Sequence, residues 1–313
     1  MRALLCPASL KGVLSARTAA AALARGLAGS EPTELPLADG GEGTVEAFEA
    51  ALGGAWHDAP VHDPLGRPRT ARWLLLPDGR AVVEAASAIG LPLLAPDERD
   101  PLAASSRGLG ELVAAALASS PASLVVALGG TATVDGGAGL LEIVRELPVP
   151  AVALCDVDIP LLDAPRLFGP QKGASPDDVE LLERRLAAHE ELRAYAGLPG
   201  AGAAGGLGAA LALLGATLAP GAATVLDLVG FDERLRGHDL VVTGEGRVDE
   251  TTLAGKAPGE VARRAGAVGV RCVVFGGRVE AHVPGAETVA LSGDPARAEI
   301  DLEELGRRLA ASG

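Results

Sequence analysis

The 27 basic residues of the chain include only three lysines, Lys11, Lys172 and Lys256. Each has glycine close by: Ser9-Leu10-Lys11-Gly12, Pro170-Gln171-Lys172-Gly173 and Gly255-Lys256-Ala257. An ammonium on a flexible stem, beside backbone that glycine leaves free to fold closely, suits an anion held as a point charge. Carboxylates recur in the same setting. Asp39-Gly40-Gly41-Glu42, Asp156-Val157-Asp158 and Thr243-Gly244-Glu245-Gly246-Arg247-Val248-Asp249 each follow a strand-like apolar run. Gly129 to Gly139 adds Thr131, Thr133 and Asp135, many backbone N–H groups and the start of a helix, the parts of an anion cradle. Any one of these is an ordinary turn composition. Together they match phosphoryl transfer, where Mg²⁺ takes oxygen ligands, the phosphates take cations and amides, and an attacked hydroxyl needs a carboxylate base.

Other chemistries lack their residues. Gly200-Ala201-Gly202-Ala203-Ala204-Gly205 fits GxGxxG but follows Leu198-Pro199 rather than a strand, so it reads as a close-packing segment. Gly255-Lys256 is followed by Ala257, and position 250 is Glu, which rules out a Walker A loop. No GxSxG or HExxH occurs, and the five histidines have no ligand-like spacing. Cys6, Cys155 and Cys272 lie far apart in or beside apolar runs and read as buried thiols.

The elements that must position these groups alternate. Arg2 to Cys6 reads as a strand, then Ser15 caps a helix to Leu27, and Thr33 to Leu37 is a second strand before a helix from Val45. Val61 to Asp63, Thr70 to Leu76 and Ala81 to Ala85, separated by Pro64-Leu65-Gly66 and Pro77-Asp78-Gly79, predict an antiparallel meander. Strands at Ser123–Leu128, Val149–Cys155, Leu240–Thr243 and Arg271–Phe275 alternate with helices. The charge-free stretch Gly197 to Leu226 is broken by Pro199 and Pro220, and its most helical part, Leu207 to Leu218, is too short to span a membrane and predicts a buried helix. The expected fold is two α/β domains: a parallel-sheet Rossmann/flavodoxin-like domain from 1–55 plus 236–313, with a mixed α/β domain, 56–235, inserted in it.

The chain resembles the type I glycerate kinases. The resemblance is carried in order by Pro7-Ala8-Ser9-Leu10-Lys11-Gly12, Ala38 to Thr44, His62-Asp63-Pro64-Leu65-Gly66, Gly129 to Thr133, Asp135 to Gly139 and Cys155 to Asp158. It continues through Phe168 to Ala174, Gly200 to Gly208, Thr243 to Asp249 and Thr252 to Pro258. Gly139–Val149 and Pro160–Phe168 are shorter than the family's pattern, and Val134 and Ile159 stand where it often has Asn. The resemblance implies an active site in the cleft between the domains and Mg-ATP-dependent phosphorylation of D-glycerate, usually at the 2-hydroxyl. A kinase for another small hydroxy acid, or a non-catalytic hydroxy-acid and nucleotide sensor, are the alternatives.

On that reading Asp156 is the expected general base, since it ends a buried strand, with Asp158 its equal on spacing; Glu42 and Glu245 are expected on looser loops. Lys11 is the expected catalytic cation. Ser9, Lys11, Asp39, Glu42, Thr131, Thr133, Asp135, Lys172, Arg247 and Lys256 are expected to bind substrate and phosphate, and Glu245 and Asp249 the metal. The three lysines are expected to line one cleft.

Composition bounds the rest. With 48% hydrophobic but only 2% aromatic residues, the core must be Ala, Val and Leu, and a disordered chain is excluded. A formal charge of −14 with no basic patch argues against nucleic acid and anionic membrane as partners. The N-terminus is broken too early by Pro7 for a signal peptide, so a cytoplasmic protein is expected.

Overall fold

The computed structural model describes residues 1–312. Its strands, in chain order, are β1 (Arg2–Pro7), β2 (Glu31–Glu34), β3 (Ala55–His62), β4 (Pro68–Leu75), β5 (Arg80–Glu84), β6 (Ser123–Ala127), β7 (Ala151–Cys155), β8 (Thr217–Pro220), β9 (Leu240–Val248), β10 (Arg271–Val279) and β11 (Glu287–Ala290). Two compact units result: residues 1–39, 46–52 and 222–313, and residues 40–45 and 53–221.

The first unit is one parallel sheet in the order β11-β10-β9-β1-β2. Numbered along this unit alone, that is the doubly wound flavodoxin-like order 2-1-3-4-5. Strand order reverses between β1 and β9, and the loops at their carboxyl ends diverge there to leave a crevice. Helix Ala16–Gly26 starts at Ser15, whose hydroxyl accepts the Thr18 N–H, as its sequence predicts. Its buried Ala19, Ala22 and Leu23 join Leu5, Val242, Phe275 and Leu302 in a core with few aromatics. Residues 222–235, expected in the inserted domain, pack with this unit. Arg264, largely buried, pairs with Asp227 and Asp232, and Arg234 donates to the Ala51 carbonyl at 2.9 Å.

The second unit carries a mixed sheet, β3-β4-β5-β6-β7-β8. β3, β4 and β5 form the expected antiparallel meander, and β5 to β8 run parallel. The buried helix comes out as Ala203–Leu213, interrupted by left-handed backbone at Ala204, Gly205 and Gly206, so that its regular part starts at Leu207 as expected. The expected extension to Leu218 fails because Gly215 turns the chain at φ +93° and Thr217–Pro220 pairs with β7 as β8. No described helix is long and apolar enough to cross a membrane.

Glu245 is not on a loop: β9 continues to Val248, paired with β10 through Gly276↔Glu245 and Arg278↔Arg247. β10 supplies the room, since a Cβ on Gly276 would lie 2.5 Å from the Arg278 carbonyl oxygen and 2.9 Å from Val248. Glycines that read as loop formers therefore let two strands run close together.

Candidate active site

In the first unit, the crevice at the carboxyl ends of β1 and β9 opens into a cavity of about 400 Å³, lined among others by Ser9, Lys11, Glu245, Arg247, Asp249 and Lys256. Ser9 and Lys11 are placed by β1, and Glu245 by β9. Lys256 is the residue at which helix Ala257–Val268 begins, with Pro258 in its first turn. The Lys256 ammonium donates to Glu245 Oε2 at 3.3 Å, and Thr252 Oγ1 donates to Glu245 Oε1 at 2.7 Å. Burial raises the Glu245 pKa above its ordinary value; Thr252 and Lys256 pull it back, and the charge of Asp39 pushes it up again. Lys11 is exposed and makes no ion pair among the described residues.

Arg247 and Asp249 are less open to a ligand. Arg247 is exposed and paired with Glu280, and its Nε lies 3.4 Å from Asp249 Oδ2. Asp249 Oδ1 accepts from Thr251 N at 2.8 Å and from Thr251 Oγ1, capping helix Glu250–Leu253. Glu245, whose two oxygens are likewise engaged, Asp249 and Asp39 are the carboxylates of this unit that could hold a divalent cation. No cluster of three or more acidic, His or Cys ligands exists among the described residues. Mg²⁺ does not require one, because it takes one or two carboxylates and draws its other ligands from phosphates and water. The donor set therefore fits Mg²⁺ held jointly with a nucleotide.

In the second unit, the turns after β6 and β7 and the segment Gly40–Gly43 converge. Gly129 donates to the Gly40 carbonyl at 3.1 Å, and a Cβ on Gly129 would lie 2.6 Å from Gly41 Cα and 3.4 Å from Asp156 Oδ2. Only glycine admits that approach. The Asp156 side chain is exposed beside this turn, Glu42 is exposed on the neighbouring one, and Asp158 is exposed two residues on. Asp156 also helps push the buried Cys155 thiol up to about 12, burial being the larger cause.

The third lysine behaves differently from the other two. Lys172 is only 4% exposed, and its ammonium donates to the Thr133 carbonyl at 2.8 Å and to Thr131 Oγ1 at 3.3 Å. Burial lowers its pKa to about 8 against the opposing pull of Asp135 and Asp156. Thr133 Oγ1 is buried with no partner among the described residues. Lys11 and Lys256 thus share one cavity, whereas Lys172 is an interior brace of the turn that carries Thr131 and Thr133.

At the predicted anion cradle, Gly129 to Gly139, the later amides are taken up by the chain itself. Asp135 accepts from Ser106 N (2.8 Å) and Oγ (2.7 Å), Gly137 N (3.0 Å) and Gly139 N (3.2 Å). A carboxylate so placed occupies the Gly137 and Gly139 amides and ties this loop to Ser106. Glu84, unnoticed in the sequence, does the same at the start of helix Thr44–Leu52. Its buried Oε2 accepts from Gly43 and Thr44 N at 3.0 Å and Val45 N at 3.4 Å. The available signal was a single acid closing the buried strand Arg80-Ala81-Val82-Val83-Glu84. Glu84→Ala should lower stability by about 3 kcal/mol in urea unfolding, since buried amides lose their acceptor. Glu84→Gln, which keeps one acceptor oxygen, should lose clearly less; equal losses would contradict this role.

The model of the glycerate kinase family matches residues 3–145 and 144–293. A glycerate kinase of Bacillus subtilis strain 168 is 36% identical, over 89% of this chain and 85% of its own. A glycerate 2-kinase of Escherichia coli K12 is 38% identical, over 82% and 80%. A solved structure described as glycerate kinase 2 from Salmonella typhimurium LT2 superposes with a TM-score of 0.87 at 34% identity, covering 100% of this chain and 98% of that one.

Proposed function

We infer that this chain, which belongs to the glycerate kinase family, transfers the γ-phosphoryl group of ATP to D-glycerate in the cytoplasm, giving 2-phosphoglycerate as a type I enzyme. The observation that carries the reading is the pairing of an exposed carboxylate, Asp156, beside a glycine-only contact, with a separate cavity whose cations are Lys11 and Lys256. A phosphoryl acceptor needs the first and a polyphosphate the second.

In this mechanism Lys11 and Lys256 neutralise phosphate oxygens and so favour the charge distribution of the transition state over that of the ground state. Lys256 is held for that task by Glu245, which Thr252 orients in turn. Bound with the nucleotide, Mg²⁺ would supply charge neutralisation at the phosphates, with Glu245 and Asp39 as its protein ligands. Asp156 accepts the proton of the glycerate 2-hydroxyl as that oxygen attacks. Glu42 and Ser9 complete the polar surroundings of the substrates. Lys172 touches no reacting atom; it is a positioning residue that holds the Thr131–Thr133 turn.

Lys256→Ala should lower kcat/KM for ATP by at least ~10-fold, because a cation aimed at phosphate is removed. Lys256→Arg should rescue it only in part, since a planar fork replaces a compact ammonium. Steady-state titration of ATP at saturating glycerate reads both. The reaction itself is tested by ADP release from Mg-ATP with D-glycerate beside a panel of other small hydroxy acids. Highest kcat/KM with D-glycerate supports the assignment; release with another acid alone reassigns the substrate, and binding without release makes the protein a sensor.

A further inference from the structure

The cavity of the first unit is chemically divided. Ser9, Lys11 and Lys256 give it polar and cationic lining, Val13, Leu291 and Ala298 aliphatic lining, and Asp294 and Asp301 add carboxylates beside the last two. The topology explains the division. Right-handed crossovers leading away from the switch point in opposite directions put helix Ala16–Gly26 and helix Ala257–Val268 on opposite faces of the sheet. Lys256 comes from the second face. Val13 precedes the helix on the first face, and Ala298 begins helix Ala298–Ala311, which packs against it. The cavity therefore runs over the strand ends from Lys256 on one face to Val13 and Ala298 on the other, with Lys11 on the same loop as Val13.

Its size exceeds what the acid needs. Three carbons and four oxygens fill at most about 210 Å³, even at the ~30 Å³ that one water occupies in the liquid. The cavity holds about 400 Å³, within the range of sites for much larger ligands. Asp301, 7% exposed, keeps the aliphatic wall in place by accepting from Ser292 N at 3.0 Å and from the Ser292 hydroxyl, with Arg297 at 3.4 Å.

We propose that this cavity is the nucleotide site, with the polyphosphate against Lys11 and Lys256 and the base against Val13, Leu291 and Ala298. Glycerate binds at the second unit. The proposal rests on the phosphoryl-transfer reading above and adds which substrate each unit takes. A ligand anionic at one end and flat and weakly polar at the other matches the divided lining; a small polar acid does not.

The test is the variant Val13→Ser/Leu291→Ser in the full chain. Val13 is 39% exposed and Leu291 lies at a partly buried loop position, and Val13→Ser alone serves as the milder variant if the pair lowers the melting temperature. Calorimetric titration with Mg-ADP should show affinity reduced about tenfold, the low end for lost methylene contacts in an apolar pocket. Affinity for inorganic tripolyphosphate and the KM for D-glycerate should not change. A raised KM for glycerate, or unchanged ADP affinity, overturns the proposal, as does an equal loss for ADP and tripolyphosphate. Binding of ADP is read without turnover, so failure of the reaction and failure of this assignment are separable.

Discussion

Asp156→Asn should yield a folded protein that still binds ATP and glycerate but turns over at least ~10²-fold more slowly, the low end of what a positioned base contributes. Asn keeps the shape and removes the basicity. The carboxylate it replaces ends β7, whose residues Ala153 to Cys155 are buried, and it faces the Gly129 turn across a gap that no other residue would leave open. Asp158→Asn is the matched control, two residues on and also exposed, and should lose less than Asp156→Asn does. Near-normal turnover in Asp156→Asn, measured under saturating substrates with the melting temperature alongside, would remove the base from this position.

Lys172→Met should separate activity from stability. The buried ammonium has a pKa near 8 where the ordinary value is 10.5, so holding it charged costs the folded state about 3 kcal/mol. An apolar chain of similar shape removes that cost while leaving the Thr133 carbonyl without its donor, a loss of about 1 kcal/mol. The melting temperature at pH 7 should therefore be at least that of the wild type. Turnover should fall by about 10²-fold, because the Thr131–Thr133 turn shifts and small displacements near reacting groups are costly.

The pH dependence has a definite sign. Below pH 8 Lys172 is protonated in both states. Between about 8 and 10.5 the folded state has lost the proton and the unfolded state retains it. The unfolded chain then binds more protons, so this residue's contribution to stability rises with pH through that window. The buried thiols oppose it, since burial keeps Cys6, Cys155 and Cys272 protonated beyond their ordinary range. The difference between wild type and Lys172→Met cancels the thiols. The advantage of Lys172→Met should shrink from pH 7 to pH 10, and a constant difference would contradict the lowered pKa.

What the sequence made legible follows from how local each signal is. The Ser15 cap, the β3–β5 meander and the strand-turn-helix alternation rest on neighbouring residues and are found as expected, except that the first meander strand, expected at Val61 to Asp63, starts at Ala55. Glu245 lies on a strand and not on a loop because β9 is prolonged by pairing with Gly276, Arg278 and Val279, some thirty residues away. At the Gly129 to Gly139 cradle, the Gly137 and Gly139 amides go to Asp135, whose other partner, Ser106, lies too far along the chain for a local pattern to show it. Composition singled out all three lysines, yet only tertiary packing shows that Lys172 points inward while Lys11 and Lys256 face a cavity.

Phosphorus NMR of the products from Mg-ATP and D-glycerate tests the central claim most directly. The account predicts ADP together with a phosphomonoester signal split into a doublet by the single proton on carbon 2. A triplet, from the two protons of carbon 3, would move the acceptor to the other hydroxyl. An ATP spectrum unchanged by glycerate, with protein shown to be folded, would contradict the kinase reading outright.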